Sequence, residues 1–276
     1  MSNIIEAKDL CKSYSTFKLK DVSFGVPQGF ITGFIGPNGA GKTTTLKILL
    51  DVVNADSGNV NSLVKKEDIG VVMDGTMYVD DWKVSEVERA VSPFYRDWDK
   101  QTFAKYAKKF NLDMNKKVKD LSKGMKVKLQ IAVALSHNAK LLLLDEPTSG
   151  LDPVARDEIC DLLREFVSEE DKSVLFSTHI TSDLEKTADY ITFILNGSIV
   201  YTGTKTDLLE KYARITGGLS DISADQKKSI IGFREHKTGF EGMIESSKSG
   251  NFSKEVLIEE IDLEEIIIFM NKEDVS

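Results

Sequence analysis

The chain is poor in the residues that build metal centres and disulfide frameworks. Of its 276 residues only three are histidine and two are cysteine, Cys11 and Cys160. Their spacing fits no metal knuckle, so both are expected as free thiols in a reducing compartment. A basic excess is missing too. The net charge is −8, whereas nucleic-acid binders carry a positive face, so no nucleic-acid partner is expected. No apolar run approaches the ~20 residues that cross a bilayer. The start, MSNIIEAKDLCKSYS, has no basic stretch followed by an apolar core and does not read as a secretory signal. Repeats and low-complexity tracts are also absent. What is present, 41% hydrophobic and 29% charged residues, fits one large domain with a small appendage.

Hydrophobic periodicity predicts an α/β fold. Ile5, Ala7 and Asp9 alternate with Ile4, Glu6 and Lys8 as in a strand, and Val22 to Val26 form another. Phe30 to Ile35 is an apolar strand followed by a helical stretch with Leu46, Leu49 and Leu50 on one face. Ile69 to Met73 is a short buried strand. From about Val84 to His137 the pattern is helical, with Ser85 and Glu88 spaced as a capping box and Phe103, Tyr106, Ala107 and Phe110 forming one stripe. Strands return at Leu141 to Leu144, Val174 to Thr178 and Ile191 to Leu195. The helical stripe of Ile159, Leu162, Leu163 and Phe166 lies between the first two, which implies a crossover and a parallel sheet. After about Ala213 the texture becomes turn-rich, and a terminal helix carries Leu263, Ile266, Ile267 and Met270. The expected domains are 1–212, with a helical insertion over about 84–137, and a C-terminal accessory region, 213–276.

Residues 36–44, GPNGAGKTT, follow a strand and open a helix, as a phosphate-binding loop must. Glycines let backbone N–H groups turn toward a polyphosphate, and the helix offers its positive end. Asn38, Gly39, Ala40, Gly41, Lys42, Thr43 and Thr44 are therefore candidate ATP-binding residues. Lys42 is expected on the β/γ-phosphates and Thr43 on Mg²⁺. LLLLDEP, 141–147, places two carboxylates at a strand end, where open parallel sheets bind ligands. Asp145 is expected to hold Mg²⁺ and Glu146 to polarise the attacking water, since phosphoryl transfer needs mainly positioning and charge neutralisation.

Three further segments separate the chain from other proteins with such a loop: LSKGM at 121–125, SGLD at 149–152 and STH at 177–179. In this order they resemble the ABC ATPase family, whose signature begins LSGG. The resemblance spans about residues 4 to 210. It implies a RecA-like parallel-sheet core with an antiparallel β subdomain and an inserted helical subdomain, and two subunits sandwiching two ATP molecules. Ser122, Lys123 and Gly124 would then act in trans on the partner's nucleotide, and Ser122 is also a plausible N-cap. His179 would contact the γ-phosphate. Asp152 would lie at the dimer interface while also starting a helix with Pro153. Tyr14 fits the aromatic that stacks on adenine; a surface tyrosine is the alternative. His137 and His236 match no motif and read as structural or surface residues.

Two departures stand out. Lys123 and Met125 replace the usual glycine and glutamine of the signature. Asp74, at the end of IGVVMDG, occupies the position of the Q-loop glutamine, either as a Mg²⁺ ligand or as a solvated turn. The resemblance further implies two partners, a second ATPase subunit and an integral membrane permease that holds this chain at the inner face of the cell membrane. The one-domain subunit with a degenerate Q-loop at Asp74 and a C-terminal appendage resembles bacterial export-type ATPases. FYRDWD, LSKGMKVKLQ and STHITSDLE resemble the subgroup exporting small amphipathic peptides, phenol-soluble-modulin exporters among them. The competing readings are a soluble cassette ATPase of translation or repair, which would ordinarily carry two cassettes or a long coiled coil, and a P-loop small-molecule kinase.

Overall fold

The computed structural model describes residues 2–75, 77–169 and 171–273. The chain divides into two compact units, the first ending at Thr202 and the second beginning at Gly203. The sequence placed this boundary after residue 212, where the texture becomes turn-rich.

The first unit contains β1 (Asn3–Ser13), β2 (Lys18–Pro27), β3 (Ile31–Ile35), α1 (Lys42–Leu49), β4 (Ser57–Ser62), β5 (Ile69–Val72), α2 (Val84–Val91), α3 (Lys100–Lys109), α4 (Lys123–Leu135), β6 (Leu141–Asp145), α5 (Pro153–Val167), β7 (Ser173–Thr178), α6 (Thr181–Thr187) and β8 (Tyr190–Leu195); β9 (Ser198–Thr204) runs across its end. Two sheets form. One is three-stranded, in order β2-β1-β4, and antiparallel. The other is six-stranded, in order β5-β6-β7-β3-β8-β9, with parallel pairing from β5 through β8. Strands β3, β6 and β7 are buried along their whole length, which is why their sequences are continuous apolar runs rather than alternations. In β1 both Ile4 and Ile5 are buried, because a register shift between Asn3 and Ile5 interrupts the two-residue period. Asn196 and Gly197, both with positive φ, make the tight turn from β8 to β9.

The core joins the two sheets. Phe24 of β2 stacks on Phe34 of β3 with ring centroids 5.1 Å apart, within a cluster that includes Leu10, Leu46, Leu141 and Leu175. Removing a fully buried phenylalanine such as Phe34 is worth roughly 3–5 kcal/mol. The helical insertion has its own core, built on Val84, Val87, Phe103, Ala107, Leu129 and Val133. The expected capping box at Ser85 and Glu88 does not form. The helix begins two residues sooner, at Val84, and it is Glu86 whose carboxylate accepts from the Lys83 N–H at 2.7 Å. The same spacing is met two residues earlier, because Val84 and Val87 must both face the core.

The second unit contains α7 (Lys205–Lys211), β10 (Tyr212–Gly217), α8 (Ala224–Lys228), β11 (Ile231–His236), β12 (Gly239–Glu245), β13 (Leu257–Glu259) and α9 (Leu263–Glu273). Its sheet runs β11-β12-β10-β13 and is antiparallel. Ile215, Phe240 and Ile244 lie in its core, and α9 packs on β11 and β12.

His137, left without a motif by the sequence, is structural. It is 2% exposed and stacks on Tyr95 with centroids 3.9 Å apart. Neither ring nitrogen has an aligned hydrogen-bond partner. Burial holds its pKa below the usual 6.5, an effect only partly opposed by nearby backbone groups and Asp68. The unfolded chain therefore takes up this proton more readily than the folded one. The stabilisation is present above the ordinary histidine pKa and declines as pH falls from there toward the depressed folded value. We expect the thermal midpoint to drop between about pH 7 and pH 5, and His137→Phe to flatten that slope. An unchanged slope in the variant would exclude the imidazole as its source.

Candidate active site

The carboxyl ends of β6, β7 and β3, adjacent in the sheet, carry the sequence-predicted loop and carboxylates. A crevice at this edge is the usual ligand position in open parallel sheets. Between β3 and α1 the chain turns through Gly39 (φ 82°) and Gly41 (φ 114°). Any side chain at Gly41 would be strained by its backbone, and its Cβ would come within 2.5 Å of Leu19 and 2.8 Å of Phe17. The glycines thus let the backbone pass close beneath the cavity.

Lys42 is buried. Its Nζ donates to Gly36 O at 2.7 Å and Pro37 O at 3.3 Å and lies 3.2 Å from Glu146 Oε1. The other carboxylate oxygen of Glu146 is 2.7 Å from His179 Nδ1. A carboxylate accepts, so the Nδ1–H of His179 is the donor of this hydrogen bond. Glu146 has a left-handed backbone, φ 50°, a strain of about 1–3 kcal/mol for a non-glycine residue. Its N–H donates to Ser177 O at 2.9 Å. Beside it, Asp145 is 2% exposed. Thr43 Oγ1 donates to its Oδ2 at 2.7 Å and Ser177 Oγ to its Oδ1 at 2.6 Å.

A cavity of about 340 Å³ is lined by Phe17, Asn38, Gly39, Gly41, Lys42, Thr43, Thr44, Asp74, Asp145 and Glu146. The loop and both carboxylate candidates therefore converge. Ala40 does not join them: its N–H donates to Pro37 O and it packs in the core. Tyr14, 44% exposed, lines a second cavity of about 440 Å³ with Thr16, Phe17, Lys18, Gly39 and Asn196. Phe17 and Gly39 border both cavities. Phe17 was missed by the sequence reading, where it is only a lone aromatic before β2.

The remaining candidates lie outside this cavity. Ser122 caps α4, its Oγ accepting from Met125 N at 3.3 Å. Lys123 and Gly124 occupy the first turn of α4. Asp152 caps α5, accepting from the N–H groups of Val154 and Ala155 at 3.1 Å each. Ser177 was quoted within STH without a role, yet it supplies a hydroxyl to Asp145. Its placement follows from the parallel register that sets Asp145 opposite Ser177.

Strand, glycine turn, buried lysine, hydroxyl and paired carboxylates together have the chemistry to receive a nucleoside triphosphate. The comparisons with known proteins sharpen this. The family described as ABC transporter matches residues 19–149. A lantibiotic transport ATP-binding protein, SrtF of Streptococcus pyogenes, is 34% identical over 212 residues, covering 71% of this chain and 89% of that protein. A bacitracin transport ATP-binding protein, BcrA of Bacillus licheniformis, is 32% identical over 248 residues, covering 86% and 80%. A solved ATP-binding subunit of an ABC transporter superposes with a TM-score of 0.67 at 26% identity, covering 74% of this chain and 91% of that one. The chain belongs to the ABC transporter family, as an ATP-binding subunit that hydrolyses ATP. Among the described residues no helix is long and apolar enough to cross a membrane.

The Ser177 hydroxyl yields the first test of the site. Ser177→Ala leaves a buried carboxylate oxygen of Asp145 without its donor, and we expect a loss of about 1–3 kcal/mol in denaturant unfolding. Ser177→Thr keeps the hydroxyl and should restore most of it. Equal stability of the alanine variant and wild type would show that this hydrogen bond carries no net weight.

Proposed function

We propose that the chain is one of a pair of ATPase subunits that close around two shared ATP molecules and drive export through a separate integral membrane permease. The observation that carries this reading is Glu146, held between Lys42 and His179 next to the Thr43–Asp145 pair. In this reading Lys42 receives the β/γ-phosphates and Asn38, Gly39, Gly41 and Thr44 surround them. Glu146 orients the attacking water and accepts its proton, and His179 meets the γ-phosphate. Tyr14 and Phe17 flank the base. Ser122 and Gly124, at the N-terminal end of α4, serve the partner's triphosphate, where a helix terminus favours an anion. Asp152 contributes to the interface.

The hydroxyl of Thr43 and the carboxylate of Asp145 are hard oxygen donors suited to Mg²⁺, with Asp74 at the cavity edge as a third oxygen source. No group of three or more His, Cys, Asp or Glu among the described residues could hold a metal alone. This agrees with an ion held partly by substrate phosphates. Mg²⁺ would neutralise the charge developing on the phosphoryl oxygens. Within the first unit an apolar cavity of about 300 Å³, lined by Val71, Tyr78, Val79, Trp82, Phe94 and Tyr95 among others, offers the permease a docking place beside the Asp74 loop. Phe94 is 82% exposed there. The lantibiotic and bacitracin transport relatives favour a peptide-class cargo, in line with the small amphipathic peptides suggested by the sequence. The unit from Gly203 onward is read as an accessory domain.

Glu146→Gln keeps the shape of the site but removes the base. We expect ATP binding to persist, turnover to fall by roughly 10²–10⁴, and an ATP-dependent dimer to accumulate in size-exclusion chromatography. Normal turnover, or a species that stays monomeric with ATP and Mg²⁺, would overturn this reading.

A further inference from the structure

Asp74, at the cavity edge, already has a cation for a partner. Lys123 opens α4 and its Nζ lies 3.3 Å from Asp74 Oδ1. Asp74 lines the same cavity as Lys42, Thr43, Asp145 and Glu146. Its loop is fastened to the same helix. Gln130 of α4, 1% exposed, accepts from Met73 N at 2.9 Å and donates to Gly75 O at 2.7 Å. Both neighbours of Asp74 are thus bonded to the middle of α4, and its carboxylate to the start. The Lys123 chain also runs beside Gly150, where an added Cβ would be 3.5 Å from Nζ. One lysine therefore sits among the segments at 74, 123 and 150.

The side chains of Lys123 and Asp74 are 45% and 57% exposed, so the pair is weak and exchangeable, unlike a buried one. Exchange matters because of the charges in the cavity. One ammonium and three carboxylates line it, and a triphosphate adds more negative charge. Without Lys123, the Asp74 carboxylate repels metal-free nucleotide. A divalent cation accompanying the nucleotide is, by contrast, a favoured partner for that carboxylate.

We propose that Lys123 is a positioning residue for Asp74 within its own subunit. It holds the carboxylate neutralised at the cavity edge until Asp74 exchanges it for the divalent cation carried in with the nucleotide. This exchange sets the preference of the site for metal-loaded over metal-free ATP, and frees the Lys123 ammonium once that ATP is bound. The inference rests on the reading of the cavity as a Mg²⁺-ATP site.

The test is calorimetric titration of the full chain with ATP, once in EDTA and once in excess Mg²⁺, taking the Kd in EDTA divided by the Kd in Mg²⁺. Lys123→Met should weaken metal-free binding while sparing or tightening Mg²⁺-ATP binding. The ratio then rises on the order of two- to fivefold, the range of an exposed ion pair. Asp74→Asn should lower the ratio, and adding Lys123→Met to it should change the ratio no further. Opposite directions in the two single variants cannot arise from a general loss of fold. An unchanged ratio in Lys123→Met, or both variants moving it the same way, overturns the inference and leaves the nucleotide site standing. A wild-type chain that binds no ATP removes both.

Discussion

The Lys42 ammonium is only 5% exposed, and an ammonium taken out of water needs a compensating charge. Two carbonyl oxygens provide part of that compensation and Glu146 provides the charge. That demand propagates outward. Glu146 meets Lys42 from a left-handed backbone position, which is held by the bond from its N–H to Ser177 O. That bond exists because β6 and β7 are in parallel register with Asp145 opposite Ser177. The same register brings the Ser177 hydroxyl to Asp145. A one-residue slip would turn every side chain of β6 to the other face and separate the carboxylates from the loop. The continuous burial of β3, β6 and β7 is therefore also what keeps the chemistry aligned.

The helical insertion enters the site by a different route. Its core is separate, yet α4 packs on β5 and is tied to the cavity edge through Gln130 and Lys123. A displacement of α4 must then move Asp74, and a change of partner at Asp74 must act on the first turn of α4. Coupling of this kind needs a contiguous set of contacts, and here it includes the packing of α4 on β5, one buried amide side chain and one exposed ion pair. The buried amide supplies geometry and the exposed pair supplies a contact that can be remade, because burial makes the first costly to break and solvent makes the second inexpensive.

What was legible in the sequence had a local cause. The loop of Gly39, Gly41 and Lys42 is visible because a backbone conformation and a charge are demanded at fixed spacing, and Asp145 and Glu146 because they end an apolar run. Ser177, Gln130 and Phe17 were not legible. Each acts on a residue far along the chain, through a strand register or a helix face that no spacing encodes. Ala40 stands inside the motif, while its N–H closes the turn and its methyl group fills the core. The second unit was read only as short apolar pieces. Its strands lack clean alternation, since β12 is buried at nearly every position and β11 shifts register between Ile231 and Arg234. There a polar ladder supplements packing. Burial pulls the Glu241 carboxyl upward, but Arg234 and His236 beside it more than offset this, so it titrates below the usual value. Such a cross-strand charge ladder specifies pairing as an apolar stripe does, while leaving in the sequence only scattered charges that resemble an ordinary solvated surface.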